Sequence, residues 1–167
     1  MSAESGESVD GMNIRAMGKE DAVEIVAMAR ELARHVDDPE PRVTAADLVG
    51  DGFGPDRWCD GLVAEREGRL VGYALYCRTF EAHAVGRRLW LADLHVRPGA
   101  RRAGAGRALM AALARRALDL GCGSLCWELW HLNRMGRAFY RRLDAIEESE
   151  LAVMRLDAAR LRALAGR

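Results

Sequence analysis

A chain of 167 residues, half of them hydrophobic and 30% charged, is long enough for one soluble domain with a proper core and short for two. Its 25 basic and 25 acidic residues cancel, which argues against bulk nucleic-acid binding and leaves any important electrostatics local. No apolar run approaches the roughly 18 residues of a membrane span, and no signal-like apolar segment stands at the start, so the expectation is a cytoplasmic protein, off the membrane, with reduced thiols.

Residues 1–12, rich in Ser, Glu and Gly, read as a disordered tail ahead of a domain spanning 13–167. Asn13 to Met17 is a short strand candidate, and Asp21 to His35 repeats its apolar residues at helical spacing. The acidic loop Asp37-Asp38-Pro39-Glu40-Pro41 ends that helix. Thr44 caps a second, short one through Val49, with Asp47 as its capping-box partner, and Asp51 to Gly54 reads as a loop.

Gly61 to Glu65 and Leu70 to Thr79 form a hairpin about Glu67-Gly68-Arg69, and Trp90 to Val96 is the next strand. A helix from Ala105 to Leu120 follows, ended by Gly121 to Gly123; then come a buried strand, Ser124 to Trp130, and a helix from Asn133 to about Leu143. Ile146 to Leu156 reads as a last strand before an amphipathic tail, Ala158 to Ala165. Strands at both ends with helices between the later ones predict a mixed α/β sheet. The four cysteines, Cys59, Cys77, Cys122 and Cys126, contain no CxxC, and the four histidines keep no ligand spacing with them, so no metal is expected.

One stretch carries chemistry. The strand ending Leu94-His95-Val96 breaks at Pro98, passes through Arg101-Arg102-Ala103-Gly104-Ala105-Gly106-Arg107, and enters the alanine- and leucine-rich helix. Glycines there let the backbone approach a ligand, and the helix start offers unpaired N–H groups and a positive dipole end. Arginines crowding that end are disfavoured unless an anion is present, so the turn reads as a cradle for a phosphate-like group. A P-loop needs Gly-Lys-Ser/Thr where Gly106-Arg107-Ala108 stands, and a dinucleotide fingerprint needs a third glycine at Leu109.

Val96-x-Pro98 with Arg101-x-x-Gly104-x-Gly106, followed by Asn133, Gly136 and Phe139-Tyr140, resembles the GNAT superfamily of acetyl-CoA-dependent N-acetyltransferases. Ile14-Arg15, Glu31-Leu32-Ala33, Leu62 to Glu65, Val71 to Tyr76 and Leu91-x-Asp93-Leu94 are similar to its diamine and thialysine branch, over nearly the whole chain. The resemblance implies a mostly antiparallel sheet, splayed at the coenzyme site, with helices on both faces. It implies that the backbone of Leu94, His95 and Val96 meets the pantetheine arm, that Arg101 to Arg107 grips the pyrophosphate, and that Asn133 and Gly136 lie along the arm. Tyr140, whose phenol stays protonated at neutral pH, is the expected acid toward the departing thiolate.

In that branch an acidic pair occupies positions 92 and 93; here Ala92 precedes Asp93. Asp93 is the candidate base and substrate contact, and strict strand alternation aims it away from position 92. His95, with a reference pKa near 6.5, is the alternative base. Glu31 is the second candidate for an ammonium group, and Leu132, Asp144 and Leu151 are further departures from the branch. The resemblance thus implies acetyl transfer to a primary amine of a small molecule by a homodimer. A non-catalytic acyl-CoA sensor and a protein lysine or N-terminal acetyltransferase are the rival readings.

Overall fold

The computed structural model of the chain describes residues 7–9, 11–36, 39–148 and 150–166. The apolar stretches become strands β1 (Glu7–Val9), β2 (Met12–Ala16), β3 (Asp60–Arg66), β4 (Arg69–Glu81), β5 (Gly86–Val96) and β6 (Ser124–Trp127). These form one sheet in the order β1-β2-β3-β4-β5-β6, antiparallel except for the parallel pair of β5 and β6. The mixed, mostly antiparallel sheet of the sequence reading is therefore present. Glu7–Val9, expected within a disordered tail, instead pairs with Met12–Ile14. Residues 1–6 and 10 of that tail, and Asp37 and Asp38 of the acidic loop, lie outside the described residues.

The chain divides into two compact units, Met1–Trp130 and His131–Arg167. In the first, α1 (Ala22–Val36), α2 (Ala45–Phe53) and α3 (Ala105–Asp119) cover the sheet. Asp21 precedes α1, accepting from the Gly18 N–H at 2.7 Å and from the Arg15 guanidinium at 2.6 and 2.9 Å. At α2 the Thr44 hydroxyl accepts from the Asp47 N–H at 3.2 Å while the Asp47 carboxylate accepts from the Thr44 N–H at 2.8 Å, completing the expected capping box. That helix runs on to Phe53, through residues 51–53 that the sequence assigns to a loop. Packing overrides propensity there: Gly52 is buried, and a Cβ on it would stand 2.8 Å from Met17 Cε.

Strand pairing sorts the two faces. Val63 lies opposite Tyr73, and both join Ile25, Val26 and Met28 of α1 in one buried cluster. The neighbouring positions Ala64 and Gly72 turn to the other face, where Gly72 faces Leu109 of α3 and Val96. Alternation thus places α1 and α3 on opposite sides of the sheet, and both contact β4 and β5.

The second unit holds α4 (Arg134–Arg141) and α5 (Ala158–Leu164). The strand expected over 146–156 is not formed among the described residues, and Ile146, Leu151, Val153 and Met154 are exposed. An apolar strand pattern needs a neighbouring edge to accept its backbone hydrogen bonds, and among the described residues this segment joins no strand pair.

Candidate active site

β5 is held by β4 along its whole length and by β6 only over Arg88–Leu91. Ala92–Val96 therefore has no strand on its second side among the described residues. The Arg97 N–H donates to the Val71 carbonyl at 2.9 Å, so positions 97, 95 and 93 spend their backbone groups on β4. Leu94 and Val96 turn theirs to the open side. Of the three residues expected to offer backbone groups, His95 is thus excluded by ladder phase, and the Val96 carbonyl already accepts from Arg101 Nε at 2.8 Å.

The strand then passes through a 3-10 turn, Pro98–Ala100, into residues 101–104. Arg102 (φ 66°) and Gly104 (φ 86°) are left-handed, a conformation that glycine tolerates and arginine pays for. Gly104 is the cap of α3 and has no side chain to bond the first turn. Helical bonding begins with the Ala108 N–H on the Gly104 carbonyl at 2.9 Å, leaving the Ala105, Gly106 and Arg107 N–H groups without intrahelical acceptors. No acidic residue occupies that turn, and the exposed Arg102 and Arg107 form no ion pair among the described residues. A Cβ at Gly104 would meet no atom within 4 Å, so the turn is open to a ligand. These groups fit a pyrophosphate.

The face of β5 toward α1 is polar. Ladder pairing sets Leu75 opposite Asp93 but Tyr76 opposite Leu91, so Ala92 has no partner and forms a β-bulge. The strict alternation assumed from sequence fails at this point: Leu91 and Asp93, two residues apart, face opposite sides. Asp93 is turned toward Tyr73, whose hydroxyl donates to it across 3.3 Å, while Ala92 is exposed. Burial raises the Asp93 carboxyl above its ordinary range, opposed by the Tyr73 hydrogen bond. It also raises the fully buried Tyr73 phenol, with the Asp93 charge adding to the shift. A carboxylate lifted in this way is a better proton acceptor at neutral pH than a solvated one.

His95, expected as the alternative base, is buried at 3% exposure and has its Nε2 3.2 Å from Glu31 Oε2. The other Glu31 oxygen accepts from Arg97 Nε at 3.2 Å, and Arg97 also pairs with Glu24 at 2.6 Å. Both oxygens of Glu31, expected to meet substrate, are thus taken up by the His95 and Arg97 side chains. Glu31 braces the open half of the strand against α1.

Burial lowers the His95 imidazole, and the Glu31 contact recovers only part of the shift. The folded state then binds fewer protons than the unfolded one below the unfolded value near 6.5, so stability falls as pH falls through that value. The urea midpoint is expected to drop between about pH 7 and pH 5, and the drop to flatten in His95→Gln. Equal slopes in the two proteins would remove His95 from the acid response.

In the second unit, Asn133 caps α4: its side-chain oxygen accepts from the Gly136 N–H at 2.8 Å. A Cβ on Gly136 would stand 2.7 Å from the Asn133 amide, so the glycine has a local reason that sequence reasoning did not find. Tyr140 is half-buried and packs edge-on against Phe139, ring centroids 5.1 Å apart. Burial pushes its phenol up to about 12, so it is a proton donor at any physiological pH.

The description "Acetyltransferase (GNAT) family" belongs to a family model that matches residues 24–145. The chain belongs to the GNAT family. Acetyl transfer is the reaction of this family and acetyl-CoA its co-substrate. This GNAT chain is 31% identical over 166 residues to the thialysine N-epsilon-acetyltransferase of Mus musculus, covering 92% of this chain and 97% of that protein. It is 30% identical over 152 residues to spermidine/spermine N(1)-acetyltransferase-like protein 1 of Homo sapiens, covering 85% of this chain and 21% of that one. Its fold matches an integron cassette protein from the mobile metagenome of V. cholerae with a TM-score of 0.78 and 24% identity, over 94% and 99% of the two chains.

Proposed function

We propose that this GNAT acetyltransferase moves the acetyl group of acetyl-CoA directly to the primary amine of a small, amino-acid-like or polyamine-like molecule. The observation that carries this reading is the continuity of an open strand edge with an uncapped helix start: Ala92–Val96 leads through Arg101–Gly104 into α3. The small-molecule acceptor draws on the thialysine and spermidine/spermine relatives.

The outward backbone groups of Leu94 and Val96 hold the pantetheine arm, and the first-turn N–H groups of α3, with Arg102, Ala103 and Arg107, hold the pyrophosphate. When bound, acetyl-CoA supplies an activated acyl thioester. Asp93, its carboxyl raised by burial, takes the proton that an ammonium acceptor must lose, and its charge holds that ammonium. A backbone N–H on the Leu94–Val96 segment donates to the oxygen on which charge develops. Tyr140 donates its phenolic proton to the leaving sulfur, and Asn133 and Gly136 shape the turn that presents α4.

Acetyl-CoA at about a hundredfold over its dissociation constant is expected to add ~2.7 kcal/mol to stability. A thermal shift read against coenzyme A measures it, and no shift at saturation overturns the cradle. Coenzyme A release screened over thialysine, polyamines, amino acids and aminoglycosides identifies the acceptor. The exposed Ala92 in the acidic place favours the sensor reading, and binding without turnover on any amine would support it.

The protein acts in the cytoplasm as a homodimer in which the exposed apolar residues Ile146, Leu151, Val153 and Met154 of one protomer find cover on the other. Light scattering at micromolar concentration is expected to give twice the 18.4 kDa chain mass, and a single-chain mass rules the dimer out.

A further inference from the structure

Cys59 and Cys77 both line one cavity on the first unit. The register of β3 and β4 ends with Asp60 opposite Tyr76, and carried one residue further it would bring Cys59 opposite Cys77. The phase of this pair is fixed by its neighbours. The Gly61 carbonyl accepts from the Met17 N–H at 2.9 Å, so Gly61 and Val63 spend their backbone groups on the β2 side, while Asp60 and Leu62 spend theirs on β4. Cys59 shares the phase of Gly61, and its N–H turns to the Asp51 carbonyl at 3.5 Å, away from β4.

Carried on in that phase, the 59/77 position would be a non-hydrogen-bonded pair. Such pairs have the closer spacing, with Cα atoms about 4.5 Å apart and side chains on one face. A disulfide needs Cα atoms about 4.4–6.8 Å apart. Both cysteines are free, half-buried thiols, and both line a cavity of about 300 Å³ with Arg57, Trp58, Asp60 and Arg78. Trp58 stands 74% exposed at its rim, so the cavity is reached from solvent. Arg57 bonds Asp60 at 2.6 Å, whereas Arg78 makes no ion pair among the described residues and offers a cation to an anionic visitor.

We propose that Cys59 and Cys77 are a vicinal dithiol that an anionic low-molecular-weight disulfide, of the oxidised glutathione type, converts to a cross-strand disulfide. One cysteine thiolate attacks a sulfur of the small disulfide, forming a mixed disulfide and releasing one small thiolate. The facing cysteine thiolate then attacks the protein-bound sulfur, closing the Cys59–Cys77 bond and releasing the second. Two electrons pass from the protein to the small disulfide, and the two cysteine protons end on the two released thiols. The product ties the connection between α2 and β3 to β4, on the face of the sheet that carries Asp93.

The test treats the reduced full-length chain with oxidised glutathione, blocks remaining thiols with N-ethylmaleimide and digests with trypsin. Of four free thiols two are expected to disappear, with peptides 58–66 and 70–78 recovered joined and two hydrogens lighter than their sum, and Cys122 and Cys126 alkylated. In Cys59→Ser the resolving thiol is gone, and a glutathione adduct is expected to accumulate on Cys77. Four persisting thiols, glutathione on both cysteines without the cross-link, or a bond from either to Cys122 or Cys126 would overturn the proposal.

Discussion

Replacing Tyr140 by phenylalanine is expected to lower kcat by about 100-fold or more while leaving the affinity for coenzyme A within about twofold. The change removes one hydroxyl and keeps the ring, so the edge contact with Phe139 survives and α4 keeps its cap on Asn133. The lost hydroxyl is the one proposed to donate to the leaving sulfur. Burial pushes the phenol up to about 12, so wild-type kcat is expected to show no titration of Tyr140 at physiological pH. Steady-state rates and calorimetric titration with coenzyme A separate the two quantities. A kcat within twofold of wild type removes Tyr140 from the mechanism.

Gly72→Val is expected to act from the other side of β5. A Cβ at Gly72 would stand 2.8 Å from the His95 carbonyl oxygen, 3.1 Å from Val96 Cγ2 and 3.4 Å from Leu109 Cδ1. The first of these is backbone and gives way only if β5 itself moves. Overpacking of this kind costs about 1–3 kcal/mol, and a chain of this size loses about 2–4 °C of Tm for each kcal/mol. Because the displaced segment carries Leu94 and Val96, KM for acetyl-CoA is expected to rise with the fall in Tm. Gly104→Ala is the useful contrast, since its Cβ meets nothing and only the positive φ is strained, at about 1–2 kcal/mol. Unchanged Tm and KM in Gly72→Val would mean that the open half of β5 is not braced through this contact.

Features fixed by a few consecutive residues were legible in the sequence. The Thr44–Asp47 box, the Asn133 cap, the Gly104 turn and the hairpin at Glu67-Gly68 each depend on chemistry within four positions, and each is present. Features set by distant partners were not. The bulge at Ala92 exists because β4 fixes where β5 can pair, and no residue type announces it. Glu31 looked like a free carboxylate until α1 brought it to His95 and Arg97, 64 and 66 residues away. The strand pattern of 146–156 describes a capacity to pair, and pairing also needs an edge. Cys59 and Cys77 sit 18 apart in a sequence with no CxxC, and only the fold brings them to the lining of one cavity.

Ala92 works as a phase shifter. A strand counts in twos, and one residue left out of the count hands everything after it to the other side. Deleting Ala92 would remove the bulge and leave Leu91 and Asp93 as ordinary alternating neighbours opposite Tyr76 and Leu75, so Asp93 and His95 would keep the face toward α1. Substituting it is a different matter, because its own side chain is exposed and answers to no cross-strand neighbour. The sheet thus leaves the side chain of position 92 free to vary, and the residue it adds to the count is absorbed in the bulge.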